Sequence, residues 1–160
     1  MEGLESLFAK ALKLESPWKI KKIEFHEGVG DIKVYVDFSR GSVFSCPTCG
    51  KEVKAYDTTE KEWRHLNFFQ YACYLVVRVP RIDCHEDGIL QIDVPWAREG
   101  ADFTFLFESF AMTLVREMPV NKVSKQCVIN NCVSYGFVVK SVHEATDYLR
   151  CGQYDPGHPG

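Results

Sequence analysis

The residues best suited to chemistry are thiols spaced three apart. Cys46-Pro47-Thr48-Cys49-Gly50 is a CxxCG knuckle, a tight turn that aims two thiolates at one point and leaves Gly50 free to take the positive φ that closes it. Strand-forming sequence then leads to a second turn, Cys84-His85-Glu86-Asp87-Gly88. Two such turns facing each other suit a tetrahedral Zn²⁺. A regular site has Cys or His three residues beyond Cys84; here Asp87 stands there, and His85 adjoins the cysteine. Cys46, Cys49 and Cys84 are therefore three donors, and the fourth is open between the Asp87 carboxylate, His85 in a re-formed turn, and water. The competing reading makes the three cysteines ordinary buried thiols.

Little else has the look of a reactive group. Asp83, Glu86, Asp87 and Asp93 lie close in sequence and could mimic a divalent-metal cluster, but a turn and a strand edge account for them. His65 beside Arg64 fits a phosphate contact, a bridge to the metal loop, or a hydrogen-bonded histidine holding a sheet together. His26 and His143 stand alone. Cys73 sits mid-strand as a core residue, and Cys127, Cys132 and Cys151 have no ligand spacing with one another. No nucleophile or acid/base pair emerges, so the reading leans away from an enzyme.

The 160 residues, 46% of them hydrophobic, suffice for one ordinary domain or two small ones. Seven cysteines is an odd number, and a charged amphipathic pattern rather than a signal peptide follows Met1, so a reducing cytoplasm is expected. No run of about 18 apolar residues offers a membrane span. A net charge of −3 requires any phosphate-binding footprint to be local. Basic residues cluster at Lys19, Lys21 and Lys22, and again at Lys51, Lys54, Lys61, Arg64, Arg78 and Arg81, a pattern that solvated strand edges also produce.

The elements that must position the thiols follow in order. Leu4, Leu7, Phe8, Ala11 and Leu12 recur at helical spacing, and Ser16-Pro17 is placed to end that helix. Ile23 and Phe25, a turn through Gly28 to Asp31, and Ile32, Val34, Val36 and Phe38 alternating with Lys33, Tyr35 and Asp37 predict a hairpin with one buried face. Glu52 to Tyr56 reads as a short strand, Asp57 to Glu60 as a turn, and Tyr71 to Val79 as a central strand running through Pro80-Arg81 to Cys84. This is the geometry of a zinc ribbon. Composition shifts at residues 94–100, a linker with Pro95 and Gly100. Beyond it Phe103, Leu106, Phe107, Phe110, Ala111, Leu114, Val115 and Met118 form a helical stripe, with Asp102 as N-cap and Pro119 as stop. A short helix over 121–127, a turn near Ile129-Asn130 and a helix over 132–149 complete either a helix-turn-helix or a plain three-helix bundle. The predicted fold class is thus α+β. A small zinc-ribbon-like β domain with an N-terminal helix fills residues 1–93, the linker 94–100, a three-helix helix-turn-helix domain 101–149 and a disordered tail 150–160.

Five short motifs in this order carry a resemblance: Ser45-Cys46-Pro47-Thr48-Cys49-Gly50, Trp63-Arg64-His65-Leu66-Asn67, Arg78-Val79-Pro80-Arg81-Ile82-Asp83-Cys84, Val94-Pro95-Trp96-Ala97, and Phe103-Thr104 with Met118-Pro119-Val120. Over about residues 1 to 150 the chain resembles the N-terminal part of the ISL-three family of bacterial insertion-sequence transposases. The resemblance implies a structural Zn²⁺ and a zinc finger that, with a helix-turn-helix, binds double-stranded DNA at the terminal inverted repeats of the element. It also implies a larger ribonuclease-H-like catalytic domain, with a divalent-metal carboxylate triad, that this chain stops short of. The expected reading is a truncated, non-catalytic, cytoplasmic DNA binder. Its base and phosphate contacts would come from Asn130, Asn131, Ser134 and Tyr135 at the start of the last helix, from Lys140 and His143 farther along, and from Lys122 and Lys125 on the helix before. Three departures bear on this: Asp87 replaces Cys or His, Val128 occupies a turn position where Gly is common, and Gly136 falls inside the expected recognition helix. The rival is a zinc-stabilised protein-interaction module that self-associates or contacts a full-length transposase.

Overall fold

The computed structural model describes residues 2–119, 122 and 123. Helix α1 (Glu2–Ala11) is followed by strands β1 (Trp18–His26), β2 (Asp31–Phe38), β3 (Val43–Ser45), β4 (Glu52–Phe68), β5 (Tyr71–Cys84) and β6 (Gly88–Gln91), and then by helix α2 (Phe105–Glu117). The predicted α+β character and the N-terminal helix are present. The helix closes earlier than Ser16-Pro17 because Lys13 turns left-handed, φ 51°, letting the Leu14 N–H reach back to the Ala9 carbonyl at 2.9 Å.

One sheet runs β1-β2-β5-β4-β3, with β6 beside the far end of β5. The alternation in β2 sets Ile32, Val34 and Val36 inward, each 2% exposed or less. The β1–β2 hairpin forms as its pattern predicts, but β2 then pairs in parallel with β5, Ile32 against Cys73 and Val34 against Leu75. Local sequence says nothing of this partner, since a parallel pair needs a long crossover, supplied here by β3 and β4. Flanked by β2 and β4 and lined by buried Leu75, Val77, Val79 and Ile82, β5 is the central strand its composition predicts.

The turn expected at Asp57 to Glu60 is not one. β4 runs unbroken through it, with Thr58, Thr59 and Glu60 paired to Pro80, Val79 and Arg78 and a bulge beside Tyr56 absorbing the irregularity. Polar turn-forming residues are tolerated there because Asp57 is engaged by Arg81, whose Nε donates to Oδ1 at 2.7 Å, and the Thr58 hydroxyl by Arg78 at 3.2 Å. The N-cap of α2 is likewise Thr104 rather than Asp102: its hydroxyl oxygen accepts the Phe107 N–H at 3.3 Å. Asp102 instead offers its carbonyl to the Arg64 N–H at 2.8 Å.

The chain divides into two compact units, residues 1–108 and 109–160. The composition shift at 94–100 lies within the first, where Trp96 and Ala97 are buried and Trp96 meets Trp18 and Trp63 with ring centroids 4.9 and 5.9 Å apart. In the second, the described helix buries Ala111, and Val123 is fully buried while Lys122 is exposed. The turn near 129–130, the helix expected over 132–149, all but two residues of the helix over 121–127, and the tail 150–160 lie outside the described residues.

Candidate metal centre

Two hairpins deliver the site. The turn between β3 and β4 presents Cys46 and Cys49; the turn between β5 and β6 presents Cys84 and Asp87. Each turn has the same build. In the first, the Cys46 N–H donates to the Lys51 carbonyl at 2.8 Å and the Gly50 N–H to the Cys46 carbonyl at 2.9 Å; in the second, Cys84 pairs directly with Gly88. Gly50 and Gly88 take φ of 72° and 77°, the left-handed conformation that closes each loop and that a side chain would strain.

The ligand atoms converge. The Sγ atoms of Cys46, Cys49 and Cys84 and a carboxylate oxygen of Asp87 all lie within 4.8 Å of one another. The Asp87 Oδ2 accepts from the Cys46 and Cys84 thiols at 3.5 and 3.4 Å, and the Cys49 and Cys84 sulfurs are 3.5 Å apart. A tetrahedral zinc with Zn–S of about 2.3 Å and Zn–O of about 2.1 Å has ligand edges of roughly 3.6 to 3.8 Å, within a few tenths of an ångström of these three contacts and inside the 4.8 Å that bounds the set. His85 is exposed and outside the cluster. Its side chain follows Cys84 by one residue, whereas the closed turn returns only the residue three positions on.

Four potential anions at one point resist ionising together. The Cys49 and Thr48 N–H groups hold the Cys46 thiol below its usual range despite burial. Cys49 goes the other way: the Lys51 N–H favours its thiolate, but burial and the neighbouring Cys84, Cys46 and Asp87 push it up to about 11. A divalent cation reverses that balance by pairing with every donor at once. Lys51, one residue past the first turn, and Glu86, inside the second, form an ion pair across the two loops. Sequence alone does not reveal that pair, because nothing local says the loops face each other.

Residues 42–87 match the family described as the zinc-finger of transposase IS204/IS1001/IS1096/IS1165. This segment is a transposase-type zinc ribbon. The cluster of Cys46, Cys49, Cys84 and Asp87 in it fits structural zinc binding. The chain is also 31% identical over 108 residues to the transposase for insertion sequence element IS1557 of two Mycobacterium tuberculosis strains, CDC 1551 / Oshkosh and ATCC 25618 / H37Rv. Each match covers 64% of this chain and 24% of the relative, so the chain matches about a quarter of the length of these curated relatives. No solved structure matches. Among the described residues no helix is long and apolar enough to cross a membrane.

The motifs around the ribbon meet in space. Arg64 is 6% exposed; its Nη1 donates to the Cys73 carbonyl at 3.1 Å, its other contacts reach the His65 carbonyl and Asn67, and its guanidinium lies over Tyr74 and Phe107 at 5.3 and 5.1 Å. It is therefore a clamp inside the fold and not a phosphate-binding residue of the basic cluster. His65 Nδ1 bonds the Thr104 hydroxyl at 2.8 Å, the sheet-holding role among its three readings. Burial and then the Arg64 charge lower His65 from 6.5 to about 4. The unfolded chain thus binds a proton between pH 6.5 and 4 that the folded chain refuses, and stability present above pH 6.5 is lost as pH falls toward 4. The loss is about 3 kcal/mol at most. In urea titrations at stepped pH, His65→Asn is expected to flatten this part of the profile; identical slopes for the two proteins would exclude it.

Of the residues expected to contact DNA, Lys122 is exposed. Lys125, Asn130, Asn131, Ser134, Tyr135, Lys140 and His143 lie outside the described residues.

Proposed function

We propose that this chain is the DNA-recognition portion of an insertion-sequence transposase, reading the terminal inverted repeats of its element through a zinc-stabilised ribbon and a following helix-turn-helix over residues 101–149. The observation that carries this reading is the ribbon itself: two turns bring four metal donors to one point within a segment that matches a transposase zinc finger. Cys46, Cys49, Cys84 and Asp87 are the proposed ligands of one structural Zn²⁺. Lys122 and Lys125 are assigned to phosphates, and Asn130, Asn131, Ser134, Tyr135 and Lys140 to the duplex. Strand transfer belongs to other parts of a transposase on this reading.

The test is fluorescence anisotropy of the zinc-loaded chain on a duplex carrying the inverted repeats beside its own gene and on a scrambled duplex. Tighter binding to the repeats is expected, as is loss of that preference on chelation. The double variant Lys122→Ala, Lys125→Ala should weaken both duplexes equally and shallow the salt dependence by roughly two ion equivalents. Equal affinity for both duplexes, untouched by zinc removal, would sink the proposal.

The carboxylate ligand makes a second expectation. Oxygen is a poorer partner than thiolate for zinc in a structural site, so Asp87→Cys should hold zinc at least about ten-fold more tightly and Asp87→Ala about ten-fold less tightly. Competition with a chromophoric chelator measures both, and an unchanged affinity in Asp87→Ala would remove Asp87 from the ligand set.

A zinc-stabilised interaction module is favoured by one observation: basic residues around the ribbon are engaged within the fold. Arg78 pairs with Asp37 at 3.1 Å, Arg81 with Asp57 and Lys51 with Glu86. Association with a full-length transposase that survives high salt and lacks DNA would support this reading.

A further inference from the structure

At the end of the sheet away from the ribbon, where β4 turns into β5, Phe69 is 83% exposed and holds φ at 53°. A phenylalanine there is disfavoured twice, by a backbone conformation suited to glycine or asparagine and by an apolar ring left in water. Neither serves the hairpin, which an asparagine would close better. The ring is also not alone. Phe69 meets Phe68 at 4.9 Å, Phe68 meets Phe8 of α1 at 4.5 Å, and Phe68 pairs in register with Tyr71, whose ring meets Phe25 at 6.0 Å. Phe25 is 46% exposed, and Leu4, one helical turn before Phe8, is 45% exposed. The β1–β2 turn adds exposed Val29 and is tied to this end by the Ala72 N–H, which donates to the Gly30 carbonyl at 3.0 Å. Leu4, Phe25, Val29 and Phe69 thus form an apolar margin around the open end of the core.

Charge selects the occupant. The segments framing this end, residues 3–9, 25–32 and 66–72, contain Glu5, Glu27 and Asp31 and neither Lys nor Arg; His26 is bonded to Asp31 at 2.6 Å. Duplex phosphates and anionic lipid are repelled by such a rim. A second copy docked through the same patch would set these carboxylates against their own equivalents. We propose that this end of the sheet docks another protein through an apolar surface rimmed by Lys and Arg, with Phe69 as the anchor. This does not rest on the DNA reading, and it places protein contact and DNA contact on different parts of the chain.

The probe is a pair of synthetic amphipathic helices with the same Leu/Phe face, one with a Lys polar face and one with a Glu polar face, titrated calorimetrically into the zinc-loaded full chain. The Lys peptide should bind at least about ten-fold more tightly than the Glu peptide and weaken several-fold in high salt. Phe69→Asn suits the left-handed backbone, so it should keep or raise the melting temperature while weakening the Lys peptide at least about ten-fold. The proposal is overturned by equal binding of the two peptides, by no binding of either, by dimerisation that disappears in Phe69→Asn during sedimentation, or by duplex affinity that falls in that variant.

Discussion

Cys46→Ser is expected to empty the metal site and unfold the ribbon. Metal analysis of the purified wild type should give about one zinc per chain, and the variant close to none. The effect should be large because the apparent binding free energy of a structural zinc is on the order of 10 kcal/mol, comparable with the whole stability of a small domain. Cys46 is also 2% exposed and anchors the knuckle through its backbone bonds to Lys51 and Gly50, so the serine hydroxyl would be buried in a site shaped for sulfur. Chelation of the wild type should reproduce the change in circular dichroism. A folded, zinc-free wild-type protein would contradict the metal centre outright.

Trp63→Ala should be the most damaging change away from the metal. Trp63 is 3% exposed, on the strand face that meets Trp96, and Trp96 also touches Trp18, so one indole joins β1, β4 and the segment leading to α2. Removing a buried indole costs about 3–5 kcal/mol through lost transfer free energy and an incompletely collapsed cavity. Trp96→Ala should cost a similar amount, and the double variant less than the sum, because both lose the same contact. Denaturant midpoints measure all three. A loss under about 1 kcal/mol for Trp63→Ala would mean that the segment after β6 does not depend on this packing.

The two expectations differ in how sequence exposes them. The knuckle is legible because the ligands within each turn are three residues apart: the chemistry is local, and a CxxC followed by glycine has few other uses. The fourth donor is not legible at that level. Asp87 and His85 are both within reach in sequence, and the φ of 77° at Gly88, together with the Cys84–Gly88 pairing, turns Asp87 toward the thiols. The Trp63-Arg64-His65-Leu66-Asn67 motif shows the same limit. As text it is a basic patch beside an aromatic; in the fold Arg64 is buried over Tyr74 and Phe107, and His65 holds the Thr104 that caps α2.

What the amino-acid sequence determined by itself was the set of local, periodic features: helix α1, the alternating β1–β2 hairpin, the central strand β5 and the thiol pair of the knuckle. Each depends on residues a few positions apart, where side-chain periodicity and turn chemistry act directly. Only the tertiary structure decided the parallel pairing of β2 with β5, the continuity of β4 through a turn-like sequence, the placement of Asp87 rather than His85 beside the thiols and the burial of Arg64. Those outcomes depend on which distant segment supplies the hydrogen-bond or charge partner, and a polar residue reads as exposed until that partner is in place.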